Sequence, residues 1–198
     1  MERRFLFGFI GPILSLLCVL LAIALAPSFD WTIDALSHLG HWFRTDIGPN
    51  PAIRAVVFNG GLFVGGMMAI YYFTTLIQAT TDLPSKIGFL GPTAMCTFLA
   101  GVGIFSENFD IGHLITALGF FFAIPVSAAL VGLMWLRIME VRIFGVLLLV
   151  LALLATLLFQ PWTSIAIWEY VLAIVSTTEI LFIVTLDKLE HLDVLKNQ

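Results

Sequence analysis

The fold is decided by the first apolar run of the chain, Phe5–Ala26, which has the sequence FLFGFIGPILSLLCVLLAIALA. This run carries no charged residue. As a helix it is long enough to cross a hydrocarbon core, which takes roughly 20 residues. Five further apolar runs follow: Ala55–Ile77, Ile87–Phe105, Leu114–Leu136, Ile143–Phe159 and Ile165–Leu186. We therefore predict an all-α fold, a polytopic membrane bundle of six transmembrane helices that forms a single domain over residues 1–198.

The composition of the whole chain agrees with this prediction. Of its 198 residues, 60% are hydrophobic and only 11% are charged, and the mean hydropathy is +1.05. Soluble domains usually contain about 25% charged residues, so a water-soluble globule and a disordered chain are excluded. The net charge of −4 provides no basic patch for a nucleic acid, and we expect no nucleic-acid partner.

Lysine and arginine are distributed unevenly over the connections between the six runs. The connections on the side of the N-terminus hold seven of these residues, which are Arg3, Arg4, Lys86, Arg137, Arg142, Lys188 and Lys196. The connections on the other side hold only Arg44 and Arg54. Because positive charge is enriched in cytoplasmic loops, we expect a multi-pass protein of the cell membrane with both termini in the cytoplasm.

The only long connection, residues 27–54, lies on the outer side in this topology. Within it, apolar residues recur at helical spacing and polar residues fall on the opposite side. The apolar stripe is Ile33, Leu36, Gly40 and Phe43, and the polar side is Asp34, Ser37, His38 and His41. The pattern predicts a short amphipathic helix over residues 31–43 that lies in the membrane interface.

The next outer connection, residues 106–113, brings Glu107, Asp110 and His113 to the same side of the membrane. Imidazole and carboxylate groups are the ligands of zinc or another divalent metal. The candidate ligands are Asp34, His38, His41, Asp110 and His113. The same groups can instead form a proton-transfer pair in which a carboxylate lies beside His113, or they can be hydrated loop residues at helix ends. The sequence leaves these three interpretations open.

Two polar residues lie inside the predicted spans. A charge in mid-membrane is expensive, so Glu179 is expected to be protonated or hydrogen-bonded, either as a proton or substrate contact or as a clamp between helices. Asn59 precedes Gly61 and Gly65, which form a small-xxx-small pair that lets another helix approach closely. We interpret Asn59 and this glycine pair as a packing device, acting within the bundle or between protomers.

Several short motifs along the chain are typical of one family. They are Asp34–Gly40 (DALSHLG), Asn50-Pro51, Phe58–Gly61 (FNGG), Gly103–Glu107 (GIFSE) and His113. In these motifs the chain resembles a prokaryotic, largely archaeal, six-helix membrane family called domain of unknown function 998, except that His38 stands where the family usually has an acidic residue. The resemblance implies the six-helix topology and directs attention to Ser37, Asn59, Glu107 and His113. Of these, Ser37, Glu107 and His113 are the candidate catalytic residues.

A looser similarity links the chain to the ceramidase-like membrane hydrolases. It rests on the Ser-x-x-x-His spacing of Ser37 and His41. The later His-x-x-x-His element of those zinc enzymes does not occur in this sequence.

Three functions are compatible with the sequence. The first is a lipid-binding protein or a scaffold subunit, with membrane lipid as its ligand and a homo-oligomer or a larger membrane complex as its setting. The second is a metal-dependent intramembrane hydrolase that acts on a lipid at the outer face. The third is a small proton-coupled transporter that uses Glu179.

Overall fold

The computed structural model describes residues 3–158 and 165–196, and within these ranges the chain forms six α-helices and no strand. The helices are α1 (Arg3–Ala24), α2 (Pro51–Ala79), α3 (Leu83–Ile104), α4 (Ile111–Leu136), α5 (Arg142–Leu158) and α6 (Ile165–Lys188). The all-α fold class is confirmed. Of the described helices, five are long and apolar enough to cross a membrane, whereas α5 is shorter, with 17 residues. The chain therefore has the character of a multi-pass membrane protein. The last residue of the predicted fifth span, Phe159, lies outside the described ranges.

Five of the helices pack in a ring. Helices α1 to α4 each pack against the next in sequence, and α6 contacts both α4 and α1. Helix α5 packs against α4 and α6. Internal cavities within the ring are lined by residues of α1, α2, α3, α4 and α6. The arrangement follows from the short connections after α2 and α3, because short connections make sequential helices antiparallel neighbours.

The close helix approach that Gly61 and Gly65 predict is made by α1. A Cβ atom at Gly61 would lie 2.1 Å from Cys18 Cβ, and one at Gly65 would lie 2.0 Å from Ser15 Oγ. Ser15 Oγ also donates a hydrogen bond to the Gly61 carbonyl at 3.2 Å. The glycine pair therefore serves packing within the bundle, where it lets α1 approach the backbone of α2.

One end of the ring is covered by the α1–α2 connection, residues 25–50, together with the α3–α4 connection, residues 105–110. We call this the capped end. The helical part of the longer connection is a 3₁₀ helix over Leu36–Gly40, which is shorter than the predicted helix over residues 31–43. Leu36 is buried, whereas Ile33 and Phe43 are 76% and 79% exposed. Only the middle of the predicted apolar stripe therefore packs on the bundle.

The helix ends early because a distant residue takes one of its backbone groups. The Trp42 N–H donates to the side-chain oxygen of Asn108 at 3.0 Å. It therefore does not donate to the carbonyl of His38 or Leu39, as it would if the helix continued. At the other boundary, a turn in which the Asp34 N–H donates to the Asp30 carbonyl at 2.8 Å precedes the 3₁₀ helix.

The opposite end of the ring is closed by hydrogen bonds and an ion pair. The carbonyl of Leu195 accepts from the N–H groups of Thr81 and Asp82 at 2.9 and 3.1 Å. Asp82 is the N-cap of α3, accepts from the Ser85 N–H at 2.9 Å and pairs with the Arg137 guanidinium. Burial acts to raise the pKa of Asp82, but these hydrogen bonds and the arginine outweigh it and hold the pKa below its usual value.

Candidate functional site

A charged cluster joins the two connections of the capped end. His38 Nδ1 lies 2.8 Å from Asp34 Oδ1, and His38 Nε2 lies 3.5 Å from Glu107 Oε1. The Arg44 guanidinium lies between the same carboxylates, 3.6 Å from Asp34 and 4.0 Å from Glu107. The imidazole and the guanidinium thus connect the α1–α2 connection to the α3–α4 connection.

Two hydrogen bonds fasten the 3₁₀ helix to the membrane helices beneath it. Asn59 Nδ2, on α2, donates to the Gly40 carbonyl at 2.9 Å. The Leu36 N–H donates to Glu169 Oε2, on α6, at 2.7 Å. A Cβ atom at Gly40 would lie 2.5 Å from Asn59 Oδ1, so this approach requires glycine. Asn59 therefore bonds to the cap, whereas its position beside Gly61 and Gly65 predicts a contact between helices.

Both arginines of the capped end are engaged by protein groups. The Arg44 Nε donates to both carboxylate oxygens of Asp46 at 3.0 and 3.1 Å. Arg54, which is fully buried, donates to the Arg44 carbonyl at 2.5 Å and to the Gly48 carbonyl at 3.4 Å. These two side chains stabilise the long connection.

The pKa values of two carboxylates in this connection are lowered. Hydrogen bonds from the side chain and the backbone of Thr32 lower the pKa of Asp30. Burial acts to raise the pKa of Asp46, but the charge of Arg44 and its hydrogen bonds lower it overall. Both groups are therefore anionic at neutral pH, and they add negative charge to the capped end.

A cavity of about 60 Å³ lies directly beneath the 3₁₀ helix. A single water needs roughly 10–15 Å³ measured in this way, so the cavity is several times larger than one water molecule. Most of its lining is apolar and comes from all five helices of the ring and from the cap. The lining residues are Val19, Leu36, Ser37, Phe58, Leu62, Leu99, Val102, His113, Ala117, Phe120, Phe121, Glu169 and Ala173.

Three residues with polar side chains line this cavity, namely Ser37, His113 and Glu169. His113 Nδ1 lies 2.9 Å from the carbonyl oxygen of Phe105. Because a carbonyl only accepts, Nδ1 carries the proton, and in the neutral ring Nε2 keeps a lone pair. Glu169 uses one carboxylate oxygen to hold Leu36. The cavity thus offers hydrogen-bond acceptors at its capped end.

A second cavity of about 30 Å³ continues into the ring. Its wall shares five residues with the first cavity, which are Val19, Leu62, Leu99, Phe120 and Ala173. Glu169 lines the upper cavity and Ile180 lines the deeper one. At 1.5 Å per residue these two positions are about 16 Å apart along α6, so the two cavities together cover that length. The deeper wall has three hydroxyls, those of Ser15, Ser176 and Thr177. Ser15 donates to the Gly61 carbonyl and Ser176 to the Ala173 carbonyl. We refer to the two cavities together as the tract.

Comparison with known protein families finds one family that matches most of the chain. The family described as "Protein of unknown function (DUF998)" matches residues 9–186. The chain belongs to the DUF998 family. No curated protein and no solved structure matches the chain. The DUF998 match includes the capped end and both cavities, so the site described above is part of the family region.

Not all of the metal ligands predicted from the sequence meet in this DUF998 protein. Asp34 and His38 are in contact. His41 Nε2 instead lies 3.1 Å from the side-chain nitrogen of Asn108, His113 bonds to a backbone carbonyl, and Asp110 is exposed at the start of α4. Across residues 3–158 and 165–196, no group of three or more His, Cys, Asp or Glu side chains is placed to hold a metal ion.

The candidate catalytic residues divide between two places. Ser37 and His113 line the upper cavity, whereas Glu107 belongs to the charged cluster of the cap. Glu179 lies deeper, where it is fully buried and accepts a hydrogen bond from Ser127 Oγ of α4 at 2.5 Å. Its second carboxylate oxygen has no hydrogen-bond partner among the described residues. Glu179 thus links α6 to α4.

Two residues that stabilise the capped end, Arg54 and Asn108, belong to none of the motifs in the sequence. Arg54 opens an otherwise apolar helix, and a charge in that position is a signal for a buried partner. Asn108 carries no such signal, because its role depends on a contact with Trp42, 66 residues away in the chain.

Proposed function

We propose that this protein binds a membrane lipid within the ring, with the lipid chain in the tract and its head at Ser37, His113 and Glu169. The observation that carries the proposal is the distribution of polarity along the tract. The imidazole of His113 and the carboxyl group of Glu169 lie at its capped end, whereas the deeper wall is mostly apolar and its side-chain oxygens are only the hydroxyls of Ser15, Ser176 and Thr177. An amphiphilic ligand matches this distribution, since each of its halves meets a similar surface.

Water is a poorer occupant of the deeper cavity. A buried water needs two to four polar partners, and the deeper wall offers only the hydroxyls of Ser15, Ser176 and Thr177, of which the first two already donate to backbone carbonyls. Burial of apolar surface stabilises a bound chain by roughly 25 cal/mol for each Å² removed from water. The deeper cavity therefore favours hydrocarbon.

We further propose the orientation that the charge distribution indicates. Seven of the nine lysines and arginines lie on the side of the N-terminus, which supports six spans, cytoplasmic termini and a capped end at the outer face of the cell membrane. In this orientation the lipid head lies at the level of the outer leaflet. Membrane-impermeant labelling of a cysteine introduced at Thr45, which is exposed, tests the orientation.

The lipid-binding proposal is tested by filling the tract. Ala173 belongs to the wall of both cavities, whereas its neighbour Ile174 is 42% exposed. We expect Ala173→Phe to weaken binding of oleylglycerol ether in detergent micelles about tenfold or more, and Ile174→Phe to leave it unchanged. Native mass spectrometry gives the stoichiometry. Equal binding to both variants and the wild type would show that the lipid associates elsewhere.

A lipid hydrolase is a second candidate function, because Ser37 and His113 line the same cavity. In this function Ser37 is the nucleophile and the His113 Nε2 lone pair is the base. The test is release of oleate from monooleoylglycerol, with Ser37→Ala compared with Ser28→Ala, an exposed serine of the same connection. Loss of release on treatment with a chelator would identify the metal-dependent form. Proton-coupled transport through Glu179 stays a prediction.

A further inference from the structure

We infer that the tract selects a single-chain lipid whose head is an uncharged hydrogen-bond donor, such as an alcohol, and discriminates against a phosphate head on the same chain. This inference rests on the proposed lipid-binding function. It specifies the chemical class of the ligand from the groups that the structure places around its head.

The groups that face the head are acceptors. The Phe105 carbonyl fixes the Nδ1 proton of His113 at 2.9 Å, which leaves Nε2 with a lone pair. Glu169 lines the same cavity, and its bond to the Leu36 N–H involves only Oε2. A hydroxyl can donate to either acceptor, and Ser37 adds a group that donates or accepts. An alcohol head therefore finds complementary partners.

An anionic head finds no arginine or lysine in this cavity. The capped end holds two arginines, and neither lines the cavity. Arg44 pairs with Asp34 and Asp46, and the buried Arg54 donates to two carbonyls of the long connection. Transfer of a phosphate from water to this site would leave its charge unpaired, which is strongly unfavourable.

The charges of the cap offer an anionic head no cation either. His38 and Arg44 both lie against the carboxylates of Asp34 and Glu107, so the positive charge nearest the cavity is already engaged by protein carboxylates. A phosphate head would have to compete with Asp34 and Glu107 for these two side chains.

The dimensions of the tract favour one hydrocarbon chain. The deeper cavity, at about 30 Å³, is half the size of the upper one. Its wall includes the rigid ring of Pro12 and the aromatic ring of Phe120. The small volume of the deeper cavity favours one hydrocarbon chain over two parallel ones, so we assign a single-chain lipid and not a two-chain phospholipid.

The test compares two ligands with the same chain. Oleylglycerol ether and oleyl phosphate are titrated into the full-length protein in a neutral detergent, with Ala173→Phe to define binding in the tract. We expect the glycerol ether to bind about tenfold or more tightly than the phosphate. Glu169→Gln should reduce this ratio, because it replaces an oxygen of the cavity wall with an amide nitrogen that can donate to a phosphate, and Asp110→Asn, which changes an exposed residue at the same end, should leave it unchanged.

The possible outcomes test the head-group inference and the proposed lipid-binding function separately. If oleyl phosphate binds as tightly as the ether and both are lost in Ala173→Phe, the head-group inference is wrong and lipid binding stands. If neither ligand depends on Ala173, the lipid-binding proposal fails. The wild-type ratio needs no variant at the head site, so the inference stays testable even if Glu169→Gln does not fold.

Discussion

Adjacent glycines in α2 provide a sharp test of the helix packing. A Cβ atom at Gly61 would lie 2.1 Å from Cys18 Cβ, whereas a Cβ at Gly60 would have nothing within 4 Å. In Gly60→Ala and Gly61→Ala the gain in helix propensity is the same, about 1 kcal/mol. It therefore cancels when the two variants are compared. The difference between them isolates the steric term, which is about 3 kcal/mol, the upper end of the usual range for overpacking, because the contact is between two carbon atoms near the backbone.

The free energy of unfolding is measured for both variants in mixed micelles with an increasing fraction of denaturing detergent. We expect Gly60→Ala to be as stable as the wild type or more stable, and Gly61→Ala to be less stable than Gly60→Ala by about 3 kcal/mol. Equal stability of the two variants would refute the packing of α1 on this face. A loss of stability in Gly60→Ala alone would indicate that the close contact lies on the Gly60 side of α2, about 100° around the helix from Gly61.

Three further predictions follow from buried polar contacts. Asn59→Leu removes the hydrogen bond to the Gly40 carbonyl, so we expect a loss of about 1–3 kcal/mol in stability and faster proteolysis within residues 25–50, measured by limited digestion. Ser127→Ala removes the hydrogen bond that Glu179 accepts, and it should reduce the free energy of unfolding by about 1–3 kcal/mol, with no change if Glu179 bonds elsewhere. The lowered pKa of Asp82 means that its stabilising contribution is present above the unfolded pKa of about 3.9 and is lost as the pH falls through the lower folded value. The stability advantage of the wild type over Asp82→Asn should therefore shrink below about pH 4, and an advantage independent of pH would contradict the ion pair.

The helices could be predicted because their signals are local. Apolar runs in the sequence predicted all six described helices, of which five are long enough to span a membrane. The observed ends lie within about four residues of the predicted ones, a usual uncertainty for boundaries. The glycine pair Gly61 and Gly65 likewise predicted a close helix approach, and the structure identifies α1 as the partner. Small residues spaced four apart in a membrane helix indicate a close helix contact even when the contacting helix is not known.

The capped end could not be predicted in the same way, because its contacts join residues distant in sequence. The hydrogen bond from Leu36 to Glu169 spans 133 residues, and the one from Trp42 to Asn108 spans 66. These contacts compete with local helical hydrogen bonds and shorten the predicted interfacial helix to Leu36–Gly40. The cavities are equally invisible in the sequence, since the lining residues come from five helices and have no spacing in common.

The fastening of the cap has a consequence for the route by which a ligand exchanges. The 3₁₀ helix is bonded to α2 through Asn59, to α6 through Glu169, and to the α3–α4 connection through Glu107. Exchange past the cap would have to break all three attachments at once. Separation of two neighbouring helices displaces mainly apolar contacts, which hydrocarbon from the surrounding bilayer replaces. The rate of exchange should therefore follow the fluidity of the bilayer and respond little to changes in the cap.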